Sequence, residues 1–341
     1  DILSLREDLV GEHKYACLSH CWGAGGLAYK LLKANKYNFC QGFSRQHLPK
    51  TFRDAVEICE FLGIRFLWID ALCIVQDDIK DWNKAAAAMA EIYRHSYITI
   101  AASAAQNSHE GCFWIDSKTT FARPLRRTPA LTIYDWWWGN PNILHLVLEL
   151  SPLLRRAWVY QEKRMSRRMV HFTSEQLMWE CQHYITWENG VTKEKRQTHG
   201  TVQLPDAILP TSRIRAWQET VEEYSGLELT FEDDRLPAIA ALAKQEMERR
   251  PDDTYLTGMW KDTLIEDLVW YRFDRTLIAD SGQRPTQPRP SWSWPSVKGK
   301  VIFRTHHPLP SAKIVDLSFT PDGPPQLGGY SEASIILRGP S

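Results

Sequence analysis

The feature that most constrains the fold is the alternation of apolar runs with helical patterns in the first third of the chain. Three short apolar runs, at residues 14–19, 65–70 and 97–102, predict buried strands. Between them, residues 48–62 and 79–95 carry apolar side chains at helical spacing. Because right-handed crossovers join such elements into one sheet, the pattern predicts an α/β fold with a doubly wound, mainly parallel sheet.

In a sheet of this kind, a functional site lies beyond the carboxyl ends of the strands. Those ends fall at residues 19–23, 70–78 and 103–111. We therefore expect a small-molecule site there. The residues to which the sequence assigns substrate-binding roles at these ends are Ser19, His20, Trp22, Gly23, Asp70, Cys73, Gln76 and Asp77.

The pattern after residue 111 is less regular. The elements expected there are strands at 131–134 and 143–148, a helix at 153–164, a hairpin of 169–173 with 176–181, a polar loop at 189–210, helices at 212–225, 234–249 and 255–271, a proline-rich connector at 281–290 and short strands from residue 291. We expect two domains. An α/β domain spans residues 1–185, and a helical region with a short β tail, packing on that domain, spans 186–341.

Charge and hydropathy narrow the classes of partner. Lys and Arg together number 41, and Asp and Glu together also number 41, which argues against nucleic acid or an anionic membrane as a dominant partner. No stretch approaches the ~18 apolar residues of a membrane span. We therefore expect a small-molecule partner, with no nucleic acid and no membrane.

The cysteines indicate a reducing compartment and no metal. Seven cysteines, odd in number and scattered, are most simply free thiols, so we expect a cytoplasmic protein. Cys17 and Cys21, with His20 between them, could be half of a zinc site, but no second ligand pair accompanies them. We expect no metal and no tightly bound cofactor.

Several blocks of sequence resemble the fungal heterokaryon-incompatibility (HET) domain family. The blocks that carry the resemblance lie at 15–23 (YACLSHCWG), 48–55, 67–78, 89–93, 99–102, 156–168, 179–181, 234–239, 258–260 and 290–294. They follow the family's order and span nearly the whole chain. One departure is Ala85–Ala88, where the family usually has a glutamate.

The resemblance implies a fold and a reaction. HET domains are thought to be distant relatives of TIR domains, so the family implies a flavodoxin/TIR-like sheet, here with helical and β additions at the C-terminal side. Some TIR domains hydrolyse NAD+ at the bond between nicotinamide and ribose. The resemblance therefore implies an NAD+-cleaving effector of non-self recognition and cell death, with NAD+ as a nucleotide substrate rather than a bound cofactor.

The same resemblance implies the catalytic residue. The catalytic glutamate of those TIR domains lies in a Trp-Cys-x-x-Glu segment, and residues 158–162 (WVYQE) are similar in spacing, with valine in place of cysteine. It implies that Glu162 is the carboxylate that stabilises an oxocarbenium-like sugar, as in glycoside hydrolysis. Trp158 and Gln161 are then further substrate-binding residues.

Each of these assignments has a structural alternative. Glu162 is flanked by basic residues and could form a surface salt bridge, while Trp22 and Trp158 could be core anchors. Asp70 could cap the following turn, and Asp77 could belong to a solvated helix cap.

The function also has two alternatives. One is a non-catalytic signalling module that acts by self-association, and the other is a stand-alone biosynthetic enzyme that uses the same pocket for another small molecule. A Glu162 that lies beside Trp22 and Asp70 favours an enzyme, whereas a Glu162 that points to solvent favours the module.

Overall fold

The computed structural model describes residues 2–7, 9, 11–26, 29–113, 123–128, 131–135, 150–195, 210–273, 289–304 and 312–339. The chain divides into two compact units. The first comprises residues 1–155 and 162–195, and the second comprises residues 156–161 and 196–341. The strand expected at 143–148 and most of the loop and connector expected at 189–210 and 281–290 lie outside the described residues.

The first unit contains eleven described strands and the helices between them. The strands are β1 (Ile2–Leu3), β2 (Tyr15–Ser19), β3 (Phe43–Ser44), β4 (Phe66–Ile69), β5 (Ile98–Ala101), β6 (Arg123–Thr128), β7 (Leu131–Asp135), β8 (Arg168–Phe172), β9 (Leu177–Cys181), β10 (Tyr184–Trp187) and β11 (Thr192–Glu194). The helices are α1 (Lys36–Gln41), α2 (Lys50–Phe61), α3 (Asp70–Cys73), α4 (Ile79–His95) and α5 (Ala157–Met165), of which α5 begins in residues assigned to the second unit. The strands and helices expected before residue 111 are confirmed.

The main sheet of this unit has seven strands in the order β11-β10-β9-β8-β5-β2-β4. Strands β4, β2, β5 and β8 are parallel neighbours, and β8 to β11 form an antiparallel meander. The predicted α/β class is confirmed, but the sheet is mixed rather than mainly parallel. The reason is the short connections after β8, because a parallel pairing needs a crossover of a dozen or more residues.

The two faces of strand β2 pack against different helices, α2 and α4. Its residues Ala16 and Leu18 belong to the apolar cluster that includes Phe52 and Ala55 of α2. Cys17 points to the opposite face, since successive side chains of a strand alternate, and its Sγ lies 3.7 Å from the carbonyl oxygen of Ile92 in α4. The strand is therefore buried on both faces, as its continuous apolar run predicts.

The second unit is built around aromatic side chains. Its elements are α6 (Pro210–Tyr224), α7 (Ala240–Arg249), α8 (Leu264–Asp267), β12 (Tyr255–Leu256), β13 (Met259–Trp260), β14 (Trp270–Arg272), β15 (Val301–Phe303), β16 (Lys313–Pro321) and β17 (Tyr330–Arg338). The carbonyl of Gly258 accepts hydrogen bonds from the indole N–H groups of Trp217 (2.9 Å) and Trp294 (2.8 Å). One backbone group thus fixes two buried tryptophans. None of the helices described in either unit is long and apolar enough to cross a membrane.

The helix expected at 255–271 is wrong. Strands β12 and β13 form a hairpin there, followed by the short helix α8 and by β14. The turn between β12 and β13 holds Thr257 at φ 46° and Gly258 at φ 108°. A positive φ is incompatible with a continuing right-handed helix, so this turn interrupts the apolar periodicity that predicted one.

A buried polar network joins the end of β5 to β8 and β9. The Ser103 hydroxyl lies 3.0 Å from Nδ1 of His171, and Nε2 of His171 lies 3.0 Å from Oε2 of Glu180. All three side chains are buried. Lys163 and Lys195 both form ion pairs with Glu180.

The charges of this network follow from its burial. Burial lowers the pKa of His171 below its usual value, although the neighbouring Glu180 opposes that effect. For Glu180, burial alone would raise the pKa, but Lys163, His171 and Lys195 together hold the pKa below the usual range. A neutral imidazole thus accepts from Ser103 and donates to an ionised Glu180.

Replacing His171 tests this network. At pH 7 we expect His171→Gln to lower the free energy of unfolding by about 1–3 kcal/mol, because Ser103 and Glu180 lose a buried partner. The folded-state pKa of His171 is depressed, so its contribution is present above pH ~6.5 and is lost as acid protonates the unfolded chain. Urea unfolding of wild type and variant at pH 7, 6 and 5 should therefore show the difference in stability shrinking with acid. A constant difference would contradict a neutral His171.

Candidate functional site

The Asp70 carboxylate joins the end of β2 to the end of β4. Asp70 follows β4 directly and is the first residue of α3. Its Oδ2 accepts a hydrogen bond from Nε1 of Trp22 (2.8 Å), and its Oδ1 accepts one from the backbone N–H of Ala71 (2.7 Å). The Oδ1 atom also lies 3.7 Å from Nδ1 of His20. Since the Asp70 side chain keeps 27% of its surface exposed, this cluster reaches solvent.

The loop after α3 is held by two further predicted residues. The Gln76 side-chain amide donates to the carbonyl oxygens of Asp70 (3.0 Å) and Ile74 (2.9 Å). Oδ1 of Asp77, which is exposed, accepts from the backbone N–H of Lys33 (2.9 Å). Both side chains therefore shape the loop, and their substrate-binding roles stay predictions.

Gly23 brings the turn after β2 against the loop after β5. Its φ is 84°, and a Cβ atom at this position would lie 2.8 Å from Cβ of Asn107. Any other residue would therefore clash with that loop and strain the backbone. Together with the Asp70 contacts, this confirms that segments 19–23, 70–78 and 103–111 converge.

Ser19 and His20 are buried where β2 ends. Within the described part of the chain, the Ser19 hydroxyl has no hydrogen-bond partner. The His20 ring meets the ring of Phe52 edge-on at 4.9 Å and points its Nδ1 toward Asp70. The two side chains thus do not form the hydrogen bond that a nucleophile and its base require.

Two cysteines near these strand ends are protonated thiols. Burial raises the pKa of Cys17 well above its usual value, and Cys73 and Glu162 add to the effect. Burial also raises the pKa of Cys73 to about 11. Neither thiol supplies a thiolate at neutral pH.

Glu162 lies inside the first unit rather than on its surface. The residue belongs to α5, and only 7% of it is exposed. Its backbone carbonyl accepts from the Ser166 hydroxyl (2.8 Å), which also lies 2.7 Å from Oγ1 of Thr99 in β5. These bonds fix α5 against the sheet at the position of Glu162.

Tyr93 of α4 links Glu162 to the strand ends, and the sequence analysis did not single it out as a site residue. Its hydroxyl lies 3.5 Å from the carbonyl oxygen of Leu18, and its ring meets Trp68 edge-on at 5.6 Å. Burial raises its pKa well above the usual value, and the charges of Glu162 and Asp70 and a hydrogen bond with the Glu162 side chain add to this. A neutral phenol is thus held beside a carboxylate. Only its place in the block at 89–93 could have signalled it.

Trp158 and Gln161, although on the same helix as Glu162, have their polar partners in the second unit. Nε1 of Trp158 donates to Oδ2 of Asp234 (2.9 Å). Oε1 of the buried Gln161 accepts from the backbone N–H of Ala241 (2.9 Å). These bonds give both side chains structural roles, and their binding roles stay predictions.

The chemistry available at this site is that of carboxylates and neutral hydroxyls. Glu162 can face a developing positive charge, and Tyr93 can hold that carboxylate in place. In the described ranges, no three His, Cys, Asp or Glu side chains are arranged to hold a metal ion. All seven cysteines are free thiols.

Removing the Asp70 carboxylate should destabilise the first unit. We expect Asp70→Ala to lower the free energy of unfolding by about 1–3 kcal/mol, because the indole N–H of Trp22 and the N–H of Ala71 lose their acceptor. The exposed variant Glu12→Ala should change stability by less than about 0.5 kcal/mol. Equal effects of the two substitutions, measured by urea unfolding, would contradict the linking role of Asp70.

Part of the chain matches a known protein family. No curated protein and no solved structure matches the chain. Residues 15–162 match the model of the heterokaryon incompatibility protein (HET) family. This range starts with β2 and ends at Glu162, so it contains the converging strand ends as well as Tyr93. Residues 15–162 therefore correspond to a heterokaryon incompatibility (HET) domain.

Proposed function

We propose that this HET domain releases nicotinamide from NAD+ and that Glu162 is its catalytic carboxylate. The family match points to a role in heterokaryon incompatibility. Hydrolysis of NAD+ would make the domain an effector of that process, because loss of the nucleotide is harmful to the cell.

The observation that carries the proposal is the burial of Glu162 beside Tyr93. A carboxylate that is 7% exposed is costly unless its environment satisfies it, and natural proteins keep such groups mainly where they are paired or functional. The charges of both Glu162 and the partly exposed Asp70 raise the pKa of Tyr93, so both carboxylates lie near this phenol. A substrate that enters beside Trp22 and Asp70 would approach Glu162 from the solvent edge.

The reaction needs little from the protein besides this carboxylate. The bond between the ribose carbon and the nicotinamide nitrogen breaks, and its electron pair leaves with neutral nicotinamide. The positive charge passes to the ribose, where the negative Glu162 stabilises the oxocarbenium-like transition state. Water then adds to the same carbon and releases one proton to solvent. ADP-ribose and nicotinamide are the products.

Two other groups fit roles in binding. The partly exposed indole of Trp22, fixed by Asp70 at 2.8 Å, offers a face on which a base can stack. The turn that begins at Gly23 contains Gly25 and Gly26, where no described atom lies within 4 Å of the place that a Cβ would take, so a phosphate could approach the backbone there. These groups would hold the nucleotide while Glu162 faces the ribose.

The two alternatives predict different results. A non-catalytic signalling module would be favoured by a Glu162 that points to solvent, and Glu162 is buried. A biosynthetic enzyme with another substrate would use the same residues but would leave NAD+ intact. Nicotinamide release therefore separates the proposal from both.

Replacing Glu162 tests the proposal directly. We expect the purified protein to release nicotinamide from NAD+ and Glu162→Gln to be slower by about 100-fold or more, because the amide cannot offset the charge on the ribose. Release is followed by liquid chromatography, and circular dichroism establishes that the variant is folded. The exposed Glu12→Gln is the matched control and should keep full activity. No release by wild type, or equal release by Glu162→Gln, would overturn the proposal.

Replacing Tyr93 tests how Glu162 is held. Tyr93→Phe removes the hydroxyl that lies 3.5 Å from the Leu18 carbonyl oxygen and interacts with Glu162, so we expect kcat to fall by about 10-fold to 100-fold while KM stays nearly constant. Tyr37→Phe, at a residue that is 73% exposed, should have no effect. An unchanged kcat in folded Tyr93→Phe would contradict a positioning role.

A further inference from the structure

The β16–β17 hairpin of the second unit forms a two-stranded sheet of its own. Its two strands are nine residues each and pair only with one another in the described part of the chain. Each strand therefore has an outer edge whose backbone N–H and C=O groups lack a strand partner. Such edges are templates for pairing with another chain, and proteins usually protect them.

The two faces of the hairpin differ in polarity. One face carries the apolar cross-strand pairs Ile314–Leu337, Leu317–Ile335 and Phe319–Ala333. The other face carries mostly polar pairs, which are Lys313–Arg338, Asp316–Ile336, Ser318–Ser334 and Thr320–Glu332. Ile336 and Leu337 remain 54% and 46% exposed, so apolar surface at the end of β17 stays in contact with solvent.

Only one of the two edges is protected. Strand β16 has a register shift between Ile314 and Asp316 and ends in Pro321. Both features disrupt further strand pairing. Strand β17 keeps a continuous register from Glu332 to Arg338 and has neither proline nor glycine in that stretch. Among the described residues, the outer edge of β17 thus has no strand partner over these seven residues.

Within one chain, the charged residues Glu332 and Arg338 of β17 have no oppositely charged residue across from them on β16. Arg338 lies directly opposite Lys313, and like charges at such positions destabilise a strand pair. Glu332 lies opposite the neutral Thr320. Among the ion pairs of the described residues, none involves Glu332 or Arg338. Each end of the β17 edge therefore presents one unmatched charge of opposite sign.

We infer that β17 is a docking edge for a second copy of this chain, paired antiparallel about a two-fold axis at Ile335. In this register, Glu332 of one copy faces Arg338 of the other, and Arg338 of the first faces Glu332 of the second. Ala333 then faces Leu337, and Ser334 faces Ile336. A shift by two residues in either direction would separate the opposite charges, so charge complementarity selects this register.

The dimer extends each hairpin into a four-stranded sheet. Backbone hydrogen bonds along β17 provide the attraction, as in other cases of strand addition, and the two charge pairs select the partner. Seven residues a side bury less than the roughly 1,200 Å² of a typical stable interface. The association is therefore reversible and depends on concentration. It is independent of the reaction assigned to Glu162.

Sedimentation velocity tests the inference. We expect the mean sedimentation coefficient of the wild-type protein to rise from the monomer toward the dimer with increasing concentration. Charge reversal in Glu332→Lys or Arg338→Glu places two like-charge pairs in the interface and should weaken association by about tenfold or more. Glu248→Lys, an exposed reversal of the same sign on α7, is the matched control and should associate like wild type.

Mixing the two variants provides the decisive comparison. In a heterodimer of Glu332→Lys with Arg338→Glu, the introduced lysine faces the introduced glutamate, and the native Arg338 of the first variant faces the native Glu332 of the second. The mixture should therefore regain dimers that neither variant forms alone, a result that cannot come from unfolding. The inference is overturned if wild type stays monomeric at all accessible concentrations, if the reversals leave its dimer intact, or if the mixture fails to associate.

Discussion

The first unit depends on the burial of strand β2 on both of its faces. Ala16 and Leu18 pack into the apolar cluster with α2, while Cys17 and the end of the strand lie against α4. Parallel neighbours β4 and β5 flank it, so its backbone groups pair on both sides. These contacts hold the strand in place relative to its neighbours. His20 and Trp22, which follow the strand, therefore lie at a fixed position beside Asp70.

The same burial creates the electrostatic character of the site. Tyr93, Cys17 and Glu162 are all removed from water near the carboxyl end of β2. Burial keeps the phenol and the thiol neutral, and the nearby carboxylates strengthen that effect. The carboxylate of Glu162, whose charge acts on Tyr93, thus lies beside a neutral phenol. This charge is the basis of the proposed glycosidic chemistry.

Sequence reasoning succeeded where the signal was local and strong. The apolar runs became β2, β4 and β5, and the helical periodicity became α2 and α4, because each segment buries the face that its pattern predicts. It failed at 255–271, where apolar residues at helical spacing fold into a hairpin about Thr257 and Gly258. The turn there depends on tertiary contacts, since the Gly258 carbonyl is held by two tryptophans distant in sequence.

The sequence by itself determined the α/β class, the strand ends that converge on Asp70 and the HET resemblance, which the family match confirms over residues 15–162. These conclusions follow from periodicity, strand order and motif blocks, all of which can be read directly from the amino-acid sequence. Only the tertiary structure decided that Glu162 is buried beside Tyr93, that Trp158 and Gln161 bond to Asp234 and Ala241, and that His171 lies between Ser103 and Glu180. Such contacts join residues far apart in sequence, and burial, which sets their charges, is a property of the folded chain.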